Sequence, residues 1–239
     1  MITRKQFGDC TMIHADCLDV LPIEADAIVT DPPYKQDGNN HNGKSNSRKF
    51  KSVIHRRTQS LDSISRFDPY PFFEAMQKCC WQSAYFFCNK NLLREYLSFG
   101  ESIGANMNLL VWRKHRVAPI QIETYRPDVE YIVFLKRKGG YWNHKNPHSN
   151  YSRVFDDNQS DCALHAAQKP ISLCQKIIIN STIAGATVLD PYMGSGTTAI
   201  ACIRTGRKFI GIEKDAKHFQ TACDRVENEL RQGILIPPQ

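Results

Sequence analysis

Ala27-Ile28-Val29-Thr30-Asp31-Pro32-Pro33-Tyr34 sets the reading of this chain. The apolar run Ala27 to Val29 has the composition of a buried strand. Pro32 and Pro33 carry no backbone N–H and hold φ fixed, so the strand must stop before them. Asp31 and Tyr34 are thereby held on a stiff turn just past a strand's C-terminal end. In open α/β sheets that is where ligands bind. A carboxylate, an unpaired proline carbonyl and a ring on one rigid turn can grip a flat heterocycle bearing an amino group. The competing reading is a plain strand-ending turn with a surface Asp.

The flanking sequence alternates strands and helices. Cys10 to His14 reads as a strand, which leaves Asp16 just beyond its end. Phe72, Phe73, Met76 and Cys80 fall at helical spacing and predict a helix reaching about Trp81. Ala84 to Cys88 is a buried strand, Leu92 to Ile103 an amphipathic helix with Gly104 as its stop, and Met107 to Trp112 another strand. Val129 to Leu135 is a further strand. Glu130 near its start is unusual in a buried run and reads as a strand-edge ion pair or as an acid close to the site. His165-Ala166-Ala167-Gln168-Lys169-Pro170 opens a helix, with Pro170 in its first turn and Ile171, Cys174, Ile177 and Ile178 on its apolar face. This alternation predicts one Rossmann-like α/β domain over 1–239, an open, mostly parallel twisted sheet with helices on both faces.

Thr187-Val188-Leu189 is a strand that runs into Asp190-Pro191-Tyr192-Met193-Gly194-Ser195-Gly196-Thr197-Thr198 and then a helix. Glycines let backbone approach a ligand closely, and a helix N-terminus presents N–H groups to negative charge. No Lys follows the second glycine, so this is not a phosphate-binding P-loop. The third glycine of the dinucleotide fingerprint is also missing. Phe209 to Ile212 is the next strand, ending in Glu213. An acid there, about 20 residues after the glycine loop, is placed to hold ribose hydroxyls. Asp215 caps the last helix, which is expected to run to about Leu230 and be followed by a loose, Pro-rich tail.

Composition limits the function classes. The 239 residues carry 31 Lys and Arg against 24 Asp and Glu, a net charge of +7 that suits a polyanionic partner. No run approaches membrane-spanning length. The 9 cysteines form no Cys-x-x-Cys pair and read as reduced thiols of a cytoplasmic protein. Cys10, His14 and Cys17 have no second ligand pair nearby, so no metal is expected. Two stretches are irregular. Residues 35–68 form a basic insertion, flexible by composition, with Arg48, Lys49, Lys51, Arg56 and Arg57 as candidate phosphate contacts. Residues 136–163 interleave bases and rings, and Lys136, Arg137, Lys138 and Trp142 are candidate nucleic-acid contacts there. Either stretch can also be read as a solvated face.

Taken together, Thr30 to Tyr34, then His165 with Gln168-Lys169-Pro170, then Val188 to Thr198 and Glu213, resemble the β-class amino DNA methyltransferases. In that circularly permuted family the target-site motif precedes the glycine-loop motif. The resemblance covers both ends of the chain and most of the sheet, and is weak over 35–68 and 136–163. It implies S-adenosylmethionine as cofactor, with Asp190, Pro191, Tyr192, Gly194, Ser195, Gly196 and Thr197 around its methionine part. Asp16 and Cys17 would line the adenine pocket, and Lys169, Pro170 and Asp31 would lie near the methionine end. Residue 192 is often Phe in the family. The resemblance further implies catalysis by Asp31, Pro32, Pro33 and Tyr34 on a base flipped from double-stranded DNA. Asp at 31 resembles the adenine-N6 enzymes, whereas cytosine-N4 enzymes usually carry Ser. Segment 136–163 is the first candidate for target recognition, and its shortness leaves a homodimer open. A place in restriction-modification is a further implication, with pairing to a nuclease or an orphan enzyme both open. Cytosine-N4 or RNA-adenine transfer, a catalytically silent nucleic-acid-binding copy, and a metabolic ribonucleotide enzyme are the alternatives.

Overall fold

All four residues of β3 (Ala27–Thr30) are buried, and the strand lies near the middle of the sheet. The structure is a computed structural model that describes residues 2–34, 67–114, 125–156 and 168–235. The insertion positions Arg48, Lys49, Lys51, Arg56 and Arg57, together with His165, lie outside the described residues. The other strands are β1 (Thr3–Phe7), β2 (Cys10–His14), β4 (Ser83–Cys88), β5 (Asn106–Arg113), β6 (Val129–Lys136), β7 (Val154–Phe155), β8 (Thr187–Asp190) and β9 (Lys208–Glu213). Their order is β1-β2-β9-β8-β3-β4-β6-β5-β7. The run β2-β9-β8-β3-β4 is parallel throughout. β1 and β6 run against their neighbours, and β7 is parallel to β5.

Alternation along the buried strands feeds two cores. Val29, Tyr85, Phe87 and Val188 point to one face, covered by α3 (Ile171–Ser181), α4 (Thr197–Thr205) and α5 (Ala216–Leu235). Ile28, Ala84, Phe86 and Leu189 point to the other, covered by α1 (Tyr70–Lys78) and α2 (Leu93–Ser102). The expected layering is therefore present. Successive residues of β3 serve opposite cores, which is why its sequence is apolar without a break.

Several details differ from expectation. β1 is half-exposed and antiparallel, so its residues Thr3–Phe7 show no apolar run. β7 and a short helical turn at His148–Tyr151 lie within the stretch read as irregular. Pro170 is the N-cap of α3, outside the helix, with extended backbone at φ −61° and ψ 133°. The last helix continues to Leu235, through part of the expected tail.

Asp26, unremarked in the sequence, fastens the entry of β3. Its carboxylate accepts from Thr187 N at 2.8 Å and from Gln82 Nε2 at 3.2 Å, tying β8 and β4 to β3 at the rim where these strands start. At the opposite rim Asp190 ends β8 and is 4% exposed. Its carboxylate accepts from Thr198 Oγ1 at 2.7 Å and from Tyr192 N at 3.2 Å, so it staples the strand to the first turn of α4.

Two consequences are measurable. Burial pushes the Asp190 carboxyl up to about 7, against hydrogen bonds that pull it down. An unfolded Asp titrates near pH ~4. Between those values the folded chain keeps a proton that the unfolded chain releases, so this group's contribution to stability falls as pH rises through that window and is level outside it. Asp190→Asn should make stability fall less steeply with pH in denaturant titrations run across the window. Gly196, the N-cap of α4, sits at φ 82°, and an added Cβ would lie 3.1 Å from Ala222 Cβ. Gly196→Ala should lower stability by about 1–3 kcal/mol, read as a lower urea midpoint at unchanged slope.

Candidate active site

Parallel pairing of β3 with β8, Ala27 opposite Val188 and Ile28 opposite Leu189, puts the turn after Thr30 and the turn after Asp190 on one rim. β8 leads into α4 on one face, while β3 leads toward α1 on the other, so the chain diverges between them. That divergence is where open α/β sheets leave a crevice for ligands. The strand ends on this rim carry Asp16, Asp31, Asp190 and Glu213.

The glycine turn is held by its neighbours. Gly194 N donates to Glu213 Oε2 at 2.9 Å, and Glu213 Oε1 accepts from Asp215 N at 2.8 Å. Arg225 from α5 donates to Ser195 O at 2.5 Å and to Ser195 Oγ at 3.1 Å. Glu213 thus links the glycine turn to the exit of β9, with lone pairs left over on both oxygens. Asp16 Oδ1 accepts from Leu18 N at 3.1 Å, and its other oxygen is 4.0 Å from Lys214 Nζ. Cys17 is buried and hydrogen-bonded to the Tyr192 hydroxyl, and burial pushes its thiol up to about 11. The Tyr192 ring meets Phe72 edge-on at 5.2 Å, a use for the ring that Phe would serve equally well. Cys10 and Cys17 belong to different cores, on opposite faces of the sheet.

Beside the glycine turn, Asp31 belongs to a cluster of charges. Lys169 Nζ donates to Asp31 Oδ2 at 2.7 Å and to Glu130 Oε1 at 2.7 Å. It also lies 3.0 Å from the Tyr34 hydroxyl. The Tyr34 hydroxyl reaches Asp31 Oδ1 at 2.7 Å and contacts Glu130 Oε1 as well. The ammonium group sits over the rings of Tyr34 and Phe87, 5.4 and 5.2 Å from their centroids. Asp31 keeps 32% of its side chain accessible, but Glu130 and Lys169 only 8% each, so a ligand entering the crevice meets Asp31 first. Burial raises both carboxyls above their ordinary values, and Lys169 opposes it. Burial alone would lower Lys169, but Asp31 and Glu130 outweigh it and hold the ammonium above its ordinary value.

Lys169 reaches Asp31 because α3 begins on this rim. Glu130 is at the site because β6 is antiparallel to β4, which brings the start of β6 beside the end of β4. A lone acid opening an apolar strand was the only sign of it in the sequence.

The same register moves another group away. Lys136 pairs with Ser83 and Tyr131 with Cys88, so Lys136, Arg137 and Lys138 sit at the opposite rim, about 13 Å or more along the strands from Asp31. There Arg137 N donates to Gln82 O at 2.9 Å, and its guanidinium lies 4.2 Å from the Trp81 ring centroid. Trp142 packs against the core between Phe134 and Tyr151, with ring centroids 5.6 and 5.8 Å away. The three basic residues read as nucleic-acid contacts therefore stand at the rim away from Asp31, and Trp142 packs on the core. Arg137 and Trp142 pack against neighbouring rings there, a use that composition does not distinguish from nucleic-acid binding.

Comparison with known proteins agrees with this geometry. A family profile for DNA methylases matches residues 25–224. The Type II methyltransferase M2.DpnII of Streptococcus pneumoniae is 28% identical over 138 residues, and the match spans 52% of each chain. M2.LlaDCHI of Lactococcus lactis subsp. cremoris, another Type II methyltransferase, is 25% identical over 93% of this chain and 91% of its own length. The M1.HpyAVI–SAM complex superposes with a TM-score of 0.69 at 25% identity, covering 91% of this chain and 98% of that one. PvuII DNA methyltransferase, described as cytosine-N4-specific, shares the fold with a TM-score of 0.67 at 15% identity. With a crevice built from the rim turns of β3 and β8, and a family match running from the strand before one turn to well past the other, the chain belongs to the DNA methylase family.

Proposed function

We propose that this chain transfers a methyl group from S-adenosylmethionine to the exocyclic N6 amino group of an adenine in double-stranded DNA. The observation that carries this reading is the partly open Asp31 carboxylate beside the glycine turn, across the crevice between β3 and β8. The donor set suits the cofactor. Glu213 has lone pairs left for ribose hydroxyls, and Asp16 and Cys17 stand at the next strand end. When bound, S-adenosylmethionine supplies an electrophilic methyl group on a sulfonium centre.

The residues of the chain do the rest. An exocyclic amine is a poor nucleophile because its lone pair is delocalised into the ring. The Asp31 carboxylate and the Pro32 carbonyl accept its two N–H groups and draw the nitrogen toward a tetrahedral arrangement, freeing the lone pair for in-line attack. Asp31 then takes the proton that the methylated nitrogen releases. This is catalysis by positioning and electrostatics. The base must leave the duplex to reach the crevice. Stacking on the Tyr34 ring would hold it there with about 1–3 kcal/mol. The fold alone is shared with a cytosine-N4 enzyme. Adenine rests on Asp, rather than Ser, at position 31.

Asp31→Ala should cut methyl transfer by about 100-fold or more while calorimetry still registers cofactor binding. A variant that methylates at near wild-type rate removes Asp31 from the mechanism. Transfer of labelled methyl to duplex DNA, single strands and RNA, followed by chromatography of the nucleosides, should yield N6-methyladenine from DNA. N4-methylcytosine, or label confined to RNA, overturns the choice of substrate.

A further inference from the structure

We infer that Glu130 is a positioning residue of the transfer site, which holds Lys169 off full pairing with Asp31 and so keeps Asp31 a strong acceptor for the target amine. The inference rests on the proposed function and deepens it. One ammonium group stands between two carboxylates at the same distance, 2.7 Å from each. Only Asp31 is open to a ligand. A one-to-one pair would spend the whole cation on Asp31 and weaken it as an acceptor. With Glu130 behind, Lys169 is shared, and the inner group of Asp31, Glu130 and Lys169 keeps one negative charge. That charge faces the place where, in the proposed reaction, a positive charge passes from sulfur to nitrogen.

The other groups facing Glu130 do not replace it. Tyr34 brings no cation: its hydroxyl lies against both carboxylates with one proton to donate. From the end of β5, Lys114 Nζ stands 4.0 Å from Glu130 Oε2, is more open to solvent, and is lowered by burial and by Lys169, with Asp128 opposing. From the end of β4, the Cys88 thiol is pushed up to about 12 by burial and by Asp31 and Glu95. Tyr96 on α2, beside Glu95, is raised by burial and stays neutral. Lys169 is therefore the cation that Glu130 shares most closely with Asp31 among the described residues.

The test is the pH profile of single-turnover methylation of duplex DNA by the full chain, wild type beside Glu130→Gln. Removing the charge of Glu130 gives Lys169 wholly to Asp31, so Asp31 should titrate lower. The acid limb should move down by about one pH unit. The neutral-pH rate should drop by up to about tenfold, as expected for a weaker acceptor. Lys169→Gln and the double variant complete a cycle, and the double variant should be no slower than Lys169→Gln. If the amide does not fold, Glu130→Asp keeps the charge one methylene short of Lys169 and should shift the limb in the same direction. An unmoved acid limb, or fully additive losses, overturns the inference while wild-type transfer leaves the proposed function standing. A wild-type chain that methylates no nucleic acid overturns both.

Discussion

β3 and β8 are far apart along the chain, and the site exists only because they lie side by side and parallel. Each is four residues long, too short to align on its own hydrogen bonds with much certainty. Their register is helped by Asp26, whose carboxylate accepts from Thr187 N and whose backbone exchanges hydrogen bonds with Thr187 and Gln82. Alternate residues of β3 also feed two different cores, so a one-residue slip would put Ile28 and Val29 on the wrong faces. The alignment of two turns at one rim is thus fixed by a buckle at the other.

Once the strands are aligned, the turns inherit their geometry from local chemistry. Pro32 and Pro33 stop β3 abruptly, and Asp190 stops β8 by accepting from its own turn and from α4. Glu213, at the end of the neighbouring strand, then holds Gly194. Acids at the ends of adjacent parallel strands do two jobs here. They satisfy turn N–H groups, and those that stay partly open keep further lone pairs for a ligand.

What the sequence disclosed follows this division. The Asp31 turn, the glycine turn and Glu213 are each local, because proline, glycine and strand-end position speak for themselves within a few residues. The two-faced layering was legible because β3, β4 and β8 each carry an unbroken apolar run and the helices between them keep a helical period. Glu130 was visible only as an oddity, since its meaning depends on β6 being antiparallel, and nothing in its own eight residues states direction. The same hidden fact decides where Lys136, Arg137 and Lys138 stand. Read along the chain they follow directly on a site-forming strand, but in space β6 has carried them to the far rim. β1 and β7 were missed because edge strands that are half-exposed or two residues long have no apolar run to find.

The charge cluster is hard to explain as a device for stability. Two carboxylates and an ammonium taken largely out of water cost several kcal/mol of hydration each, and apolar replacements of such groups are often neutral or stabilising. Glu130 and Lys169 lie among Phe87 and Tyr34, surroundings that apolar side chains would fill without that cost. The cluster is also not spread evenly. Its one open member is Asp31, at the mouth of the crevice, and its buried members stand behind it. A group built only to hold β3, β6 and α3 together would gain nothing from leaving one carboxylate exposed. Burial that raises both carboxyls, and two carboxylates that hold one lysine charged, are what a site needs in order to present an acceptor whose strength is set by the protein rather than by water.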